Sequence, residues 1–259
     1  MINKCIQLPQ WIELLYLLVI KELNIRYKRS ILGYFWAIAN PFAFAFVYWI
    51  AFKFIMRIQM ENYSVFLLTG MFPWTWMNQA IIQGTGCYTN NSSLVRRVKL
   101  PKLILPLSNV VQEMVHFVFA IPVIFFFIFI SGCLTHPLEQ IWQIPIMLVI
   151  QLIFVYPITI LFGLLNVFVR DIQYIVGILF SMLFFATPMV YPISMVPEKY
   201  RIYSEINPLF SLIGSWRGIL IDGVISFSYI MNIMIWSAAL SIFAALLYRR
   251  LSGKIAELV

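Results

Sequence analysis

The chain has 259 residues, of which 62% are hydrophobic and 11% charged, with a formal net charge of +8 and a mean hydropathy of +0.90. A soluble domain of that length has no core large enough to bury so much apolar side chain, whereas lipid solvates it. Ordinary soluble folds are excluded, and an all-α membrane protein remains, since a helix crosses hydrocarbon in roughly 20 apolar residues.

Residues 1–33 make an N-terminal segment. Within it, 10–22 (QWIELLYLLVIKE) is apolar but short and is interrupted by Glu13 and Lys21. It reads as an interfacial helix with Trp11 and Tyr16 at headgroup level. The first 20 residues hold Glu13 and no small-residue cleavage site, so no signal peptide is expected. A basic cluster, Lys21, Arg26, Lys28 and Arg29, precedes the first span, expected from Tyr34 to about Met56. The second, Tyr63 to about Gln83, carries Gly70 and Pro73 and should be kinked.

Hydrophobicity then breaks over 84–103, where GTGCYTNNSS is followed by LVRRVKLPK. The basic part, Arg96 to Lys102, reads as a short helix stopped by Pro101. Further spans are expected at Ile104–Ser131, Trp142–Val169, Tyr174–Tyr191 and Tyr229–Tyr248, so 34–248 holds six transmembrane helices. Region 192–225 mixes Pro192, Pro197, Glu198, Lys199, Arg201, Glu205, Pro208, Arg217 and Asp222 with apolar residues. Its piece 206–221 is too short to cross, so the region reads as re-entrant helices, with Arg217 and Asp222 marking the surface on that side. A tail, 249–259, carries Arg249, Arg250 and Lys254.

Charge bias orients this topology. Of 18 Lys and Arg, 13 fall on the side shared by both termini and five (Lys53, Arg57, Lys199, Arg201, Arg217) on the other. The positive-inside rule puts both ends in the cytoplasm and region 192–225 in the periplasm. Orientation thus accounts for the net charge without nucleic acid. Cys5, Cys87 and Cys133 show no metal-ligand spacing and leave one unpaired in any disulfide scheme. Neither a metal site nor a catalytic group is read from the chain.

There is no Walker A sequence, no HExxH, no Gly-x-Ser-x-Gly, and no Gly-x-Gly-x-x-Gly. ATP and Mg²⁺, if used, belong to another chain. The segment Glu22-x3-Arg26-Tyr27-Lys28-x-Ser30-x-Leu32-Gly33-x2-Trp36-x4-Pro41 resembles the opening signature of ABC-2 type polysaccharide permeases. Phe72-Pro73-Trp74, Leu94-Val95-Arg96-Arg97 through Pro101 and Pro106, Arg170-Asp171, Thr187-Pro188-Met189-x-Tyr191 and Asn207-Pro208-Leu209 continue the pattern in order over nearly the whole chain. Phe72-Pro73-Trp74 and Asn207-Pro208-Leu209 lean toward the O-antigen branch over the capsule branch.

The resemblance implies a bacterial inner-membrane homodimer bound to two copies of a separate ATPase subunit, moving polysaccharide on an undecaprenyl diphosphate carrier between the two permease chains. It assigns Leu94, Arg96, Arg97, Lys99 and Lys102 to the coupling loop that docks the ATPase. The same charges would also serve as an anchor to anionic lipid. Arg26, Lys28 and Arg29 suit a diphosphate headgroup, or orientation alone. Ring faces pack on the C–H face of a sugar, so Tyr34, Trp36, Phe42, Tyr48 and Trp49, with Phe180, Phe184 and Tyr191, are candidates for the path. Rings on every face of the first span are equally read as lipid-facing bulk. Glu113 and His116 lie inside the third span, where an ionisable group is either functional or, as favoured for Glu113, part of a structural ion pair. Rival readings are a polyprenyl-phosphate glycosyltransferase, which needs a Mg²⁺-holding acidic cluster, and an ion-coupled transporter, which shows inverted repeats and paired intramembrane acids. The scattered carboxylates favour neither.

Overall fold

A computed structural model describes residues 8–27, 33–51, 62–98, 100–132 and 137–259. Every regular element among them is helical. In chain order the α-helices are α1 (Leu8–Tyr27), α2 (Trp36–Ile50), α3 (Tyr63–Thr85), α4 (Cys87–Asn90), α5 (Ser92–Arg97), α6 (Ile104–Ile130), α7 (Pro137–Phe168), α8 (Ile172–Ala186), α9 (Glu198–Ile206), α10 (Pro208–Arg217), α11 (Phe227–Leu251) and α12 (Ile255–Leu258). Among the described residues three segments are long and apolar enough to cross a membrane: Ile104–Ile130, Glu139–Phe168 and Phe227–Leu251. The apolar α8 has 15 residues, about 22 Å at 1.5 Å per residue, against roughly 30 Å of hydrocarbon.

Proline sits inside three of the longer helices, Pro73 in α3, Pro122 in α6, and Pro145 and Pro157 in α7. Such breaks persist in membrane helices because neighbours supply partners for backbone groups. Near the break in α3, Gln151 Nε2 of α7 donates to the Pro73 carbonyl at 2.9 Å and ties the two helices. Close backbone approach brings α3 against α7, because a Cβ on Gly84 would sit 2.0 Å from Thr159 Cγ2. Helix packing without water relies on such small residues.

A central core joins α3, α6, α7, α8, α10 and α11 through Trp76, Met77, Phe117, Phe154, Val176, Leu212, Trp216 and Ile233. Trp76 and Trp216 both pack on the Phe117 ring, at centroid distances of 5.5 and 4.9 Å. A second cluster lies at the end of the bundle that carries Arg96, Arg97, Arg249 and Arg250, here termed the basic end. It gathers Leu18, Cys87, Tyr88, Val95, Leu105, Leu164, Ala244 and Ile255.

The piece after α9 is not loosely laid on the surface. Asn207 caps α10, its side-chain oxygen accepting from Leu209 N at 3.0 Å, with Pro208 in the first turn. A π-turn, Gly218–Asp222, extends α10 to Gly223, whose φ of 70° ends the run. From there α11 returns antiparallel to α10. Asn232 Nδ2 donates to Ser211 Oγ at 2.7 Å, and Cβ atoms on Gly214 and Gly218 would meet the Tyr229 ring at 2.8 Å and the Val224 carbonyl at 2.7 Å. The start of α10 is thus level with a residue only five positions into α11, about 8 Å along it.

Two local expectations are corrected here. The basic run does not form a helix over 96–102: α5 starts at Ser92 and ends at Arg97, and Val98 is extended. Leu100 precedes Pro101, which disfavours helix at that position. Arg217 does not mark a surface. Its guanidinium is enclosed by three backbone carbonyls, as detailed below, while Asp222 is exposed.

Candidate functional site

At the basic end, α4 and α5 bridge α3 to α6. Asn91 holds the joint, donating from Nδ2 to the Cys87 carbonyl at 3.0 Å. Lys21 Nζ of α1 donates to Asn91 Oδ1 at 3.4 Å and pairs with Glu22 at 2.9 Å. Val95 is buried and Leu94 half-buried in the second cluster, which leaves Arg96 and Arg97 exposed on the other side of α5. Two cations on a short helix backed by apolar contacts form a surface able to engage an acidic groove. Lys102 is used differently. Its Nζ donates to the Ser252 carbonyl at 2.6 Å, just past the end of α11, where a cation also meets the negative end of the helix dipole. Tyr156 Oη donates to the Leu103 carbonyl at 3.1 Å. Burial pushes the Cys87 thiol far above its ordinary range, so it is not a reactive group. Lys99, Lys28 and Arg29 lie outside the described residues, as do the side chains of Arg26, Tyr34, Tyr48 and Trp49.

At the opposite end, Arg217 ties three elements. Its Nε donates to the Phe66 carbonyl of α3 at 3.3 Å. Nη1 and Nη2 donate to the Pro188 and Met189 carbonyls, just past α8, at 2.9 and 2.7 Å. The guanidinium lies 3.6 Å from the Phe66 ring centroid, and Gly70 leaves it room. Tyr63 Oη donates to the Val190 carbonyl at 2.6 Å, and Asn207 Nδ2 to Thr187 Oγ1 at 3.3 Å. Three glutamines of α7 complete the frame. Gln140 and Gln143 donate to the Leu220 and Gly223 carbonyls at 3.3 and 2.9 Å, and Gln151 Oε1 accepts from Trp216 Nε1 at 2.5 Å.

The ring candidates divide. Trp36 and Phe42 are exposed, with Phe42 6.0 Å from both Phe126 and Phe127. Phe180 is buried against Trp74 and Phe162, which gives it a packing task inside the bundle. Phe184 is half-buried on Trp74 at 5.7 Å, and Tyr191 Oη donates to the Phe185 carbonyl at 2.9 Å. An open groove on α8 runs past Gln173, Tyr174, Gly177, Ser181 and Met182 to Ile82 of α3. Glu113 is buried and accepts from Gln83 Nε2 of α3 at 2.9 Å.

Sequence reasoning missed the glutamine ties, though the signal was present. Positions 140, 143 and 151 lie within about 80° of one another on a helix at 100° per residue. A polar stripe in an apolar span faces protein, not lipid.

This helical bundle, with cations gathered at one end and an apolar hairpin at the other, belongs to the ABC-2 type transporter family, whose profile matches residues 13–221. Full-length similarity narrows the class. The chain is 38% identical to the O-antigen export system permease protein RfbA of Klebsiella pneumoniae over 247 residues, 95% of each chain. It is 30% identical to RfbA of Myxococcus xanthus over 248 residues, 92% of this chain and 95% of that one. The polysialic acid transport protein KpsM of Escherichia coli is more distant, at 23% over 238 residues, 90% of this chain and 91% of that one.

Proposed function

We propose that the chain is the permease subunit of an ATP-driven exporter that carries O-antigen polysaccharide out of the bacterial inner membrane. The observation that carries this reading is the 38% identity over 95% of both chains to a permease of that name. The O-antigen relatives also exceed the polysialic acid relative in identity, as expected of the O-antigen branch.

The working unit is a homodimer with two copies of an ATPase subunit that binds ATP and Mg²⁺. Arg96 and Arg97 dock that subunit, and Lys102 and Leu94 hold the loop in place. Six helices, α2, α3, α6, α7, α8 and α11, cross the membrane with both termini in the cytoplasm. Region 192–225 enters and leaves on the periplasmic side. The shallow level of the start of α10, beside Asn232 only five residues into α11, supports this. The lipid carrier is undecaprenyl diphosphate, met by Arg26, Lys28 and Arg29. The path for the glycan uses exposed rings such as Trp36 and Phe42 with Phe184 and Tyr191, while Tyr34, Tyr48 and Trp49 are candidates by position. No residue of this chain performs chemistry. It supplies a route and a moving wall.

Deleting the gene in its host tests the reading. Surface O-antigen should vanish while lipid-linked polymer accumulates on the cytoplasmic face, and re-expression should restore export. Unchanged surface polymer, or loss of polymer without accumulation, refutes it.

A further inference from the structure

The segment that follows α11 folds back onto the docking helix. Ile255 is fully buried in the basic-end cluster, and Leu94, Leu100, Leu103 and Val259 pack against the same cluster. Contacts join α12 directly to α5 and to α7. On the far side of the loop, Lys102 Nζ is bonded to the Ser252 carbonyl at 2.6 Å. The loop that carries Arg96 and Arg97 is therefore gripped at two points by one eight-residue segment, once through apolar contact and once through a charged hydrogen bond.

The helix needs such a grip. With six residues, α5 is too short to hold its shape alone, because helix nucleation is costly. Only Val95 of its residues is buried. Its tilt is set by what lies beneath it, and Ile255 is part of that floor.

The geometry points to Ser252–Val259 as a brace that positions α5 for the ATP-hydrolysing partner, with Ile255 and Lys102 as positioning residues. This rests on the docking role proposed above. The brace lies after the last long helix, so it can be released while the bundle stays folded.

The test uses the full chain co-expressed with the ATP-binding subunit from the same locus and reconstituted in sealed proteoliposomes. Ile255→Asp drives a charge into an apolar site and should detach α12. Lys102→Met keeps the stem and removes the bond. Membrane level and unfolding midpoint should stay near wild type for Lys102→Met. Affinity for the ATPase should fall by about tenfold or more in Ile255→Asp and by a few-fold in Lys102→Met. ATP consumed per polymer exported should rise in both, a readout that a loss of folded protein does not move. Ile255→Leu should restore affinity and ratio. If Ile255→Asp fails to insert, Ile255→Ala takes its place with the same expected direction. Wild-type affinity and ratio in Lys102→Met together with either Ile255 variant overturn the brace. Failure of the unaltered chain to bind the ATPase overturns the docking reading itself.

Discussion

Replacing Arg217 by Met keeps an apolar stem of similar length and deletes the guanidinium. Two short bonds, to Pro188 and Met189 at 2.9 and 2.7 Å, are each worth about 1 kcal/mol. This allows for hydrogen bonds in lipid averaging near 0.6 and charged ones in water nearer 1.5–3. The longer bond to Phe66 at 3.3 Å adds little. The guanidinium over the Phe66 ring at 3.6 Å adds about 1–2 kcal/mol in a desolvated setting. The sum is a destabilisation of about 3–4 kcal/mol. Equilibrium unfolding in mixed micelles, followed by circular dichroism, measures it. Arg217→Lys keeps the charge but loses the planar fork, and should fall between Met and wild type. An unfolding free energy for the Met variant within about 0.5 kcal/mol of wild type, the range of ordinary surface changes, would refute the reasoning that this side chain ties α3, α8 and α10.

Replacing both Arg96 and Arg97 by Ala should leave insertion intact, weaken copurification with the ATPase and stop export; normal copurification with wild-type export removes the docking role. Gly84→Ala places a methyl 2.0 Å from Thr159 Cγ2 and should cost about 1–3 kcal/mol by overpacking, read as a lower unfolding midpoint, while an unchanged midpoint argues against the tight α3–α7 contact. After removal of Cys5, Cys87 and Cys133, Lys199→Cys and Val224→Cys should label with an impermeant thiol reagent on intact spheroplasts. Arg97→Cys and Lys254→Cys should label only after permeabilisation, and labelling at 254 in sealed cells would sink the six-span topology. The purified chain alone should hydrolyse no ATP, and robust hydrolysis would overturn its assignment as a permease subunit.

Long apolar stretches were legible because their length alone requires lipid. The expected third span, Ile104–Ser131, matches α6 within a residue, and the last, Tyr229–Tyr248, lies inside α11. The sequence predicts that the fifth runs to Tyr191, yet α8 stops at Ala186. Thr187-Pro188 ends the helix, since a residue before proline is driven toward extended backbone. That short stop frees the Pro188 and Met189 carbonyls that Arg217 takes up. Nothing local to residue 217 announces carbonyls contributed from 28 and 29 positions away, so from sequence an Arg in a short apolar piece reads as a surface marker. The start of α5 is more legible, because Asn90-Asn91-Ser92 is a polar run suited to a helix beginning, whereas the basic residues alone point to 96–102. At the site, the cations and the hairpin could be located from sequence, but not which cations are exposed and which are bonded.

The two ends of the bundle are held by different forces, and the difference bears on which of them moves. In the proposed topology the basic end projects from the hydrocarbon, where water makes apolar burial favourable. Val95, Leu105 and Ile255 use that force, which demands no fixed bond geometry. Around the hairpin lipid is as apolar as any side chain, and packing must rely on small residues and polar bonds. Gly214 and Gly218 let α11 approach α10, and Asn232, Gln140, Gln143, Gln151 and Arg217 supply directional bonds. Each bond is modest and is lost over a displacement of about 1 Å, because hydrogen bonds weaken steeply with distance and angle. Four of them are donated to backbone carbonyls. Between the ends runs α11, free of proline and glycine across its 25 residues, unlike α3, α6 and α7. A displacement applied at its basic end therefore arrives at the hairpin with little bending to absorb it.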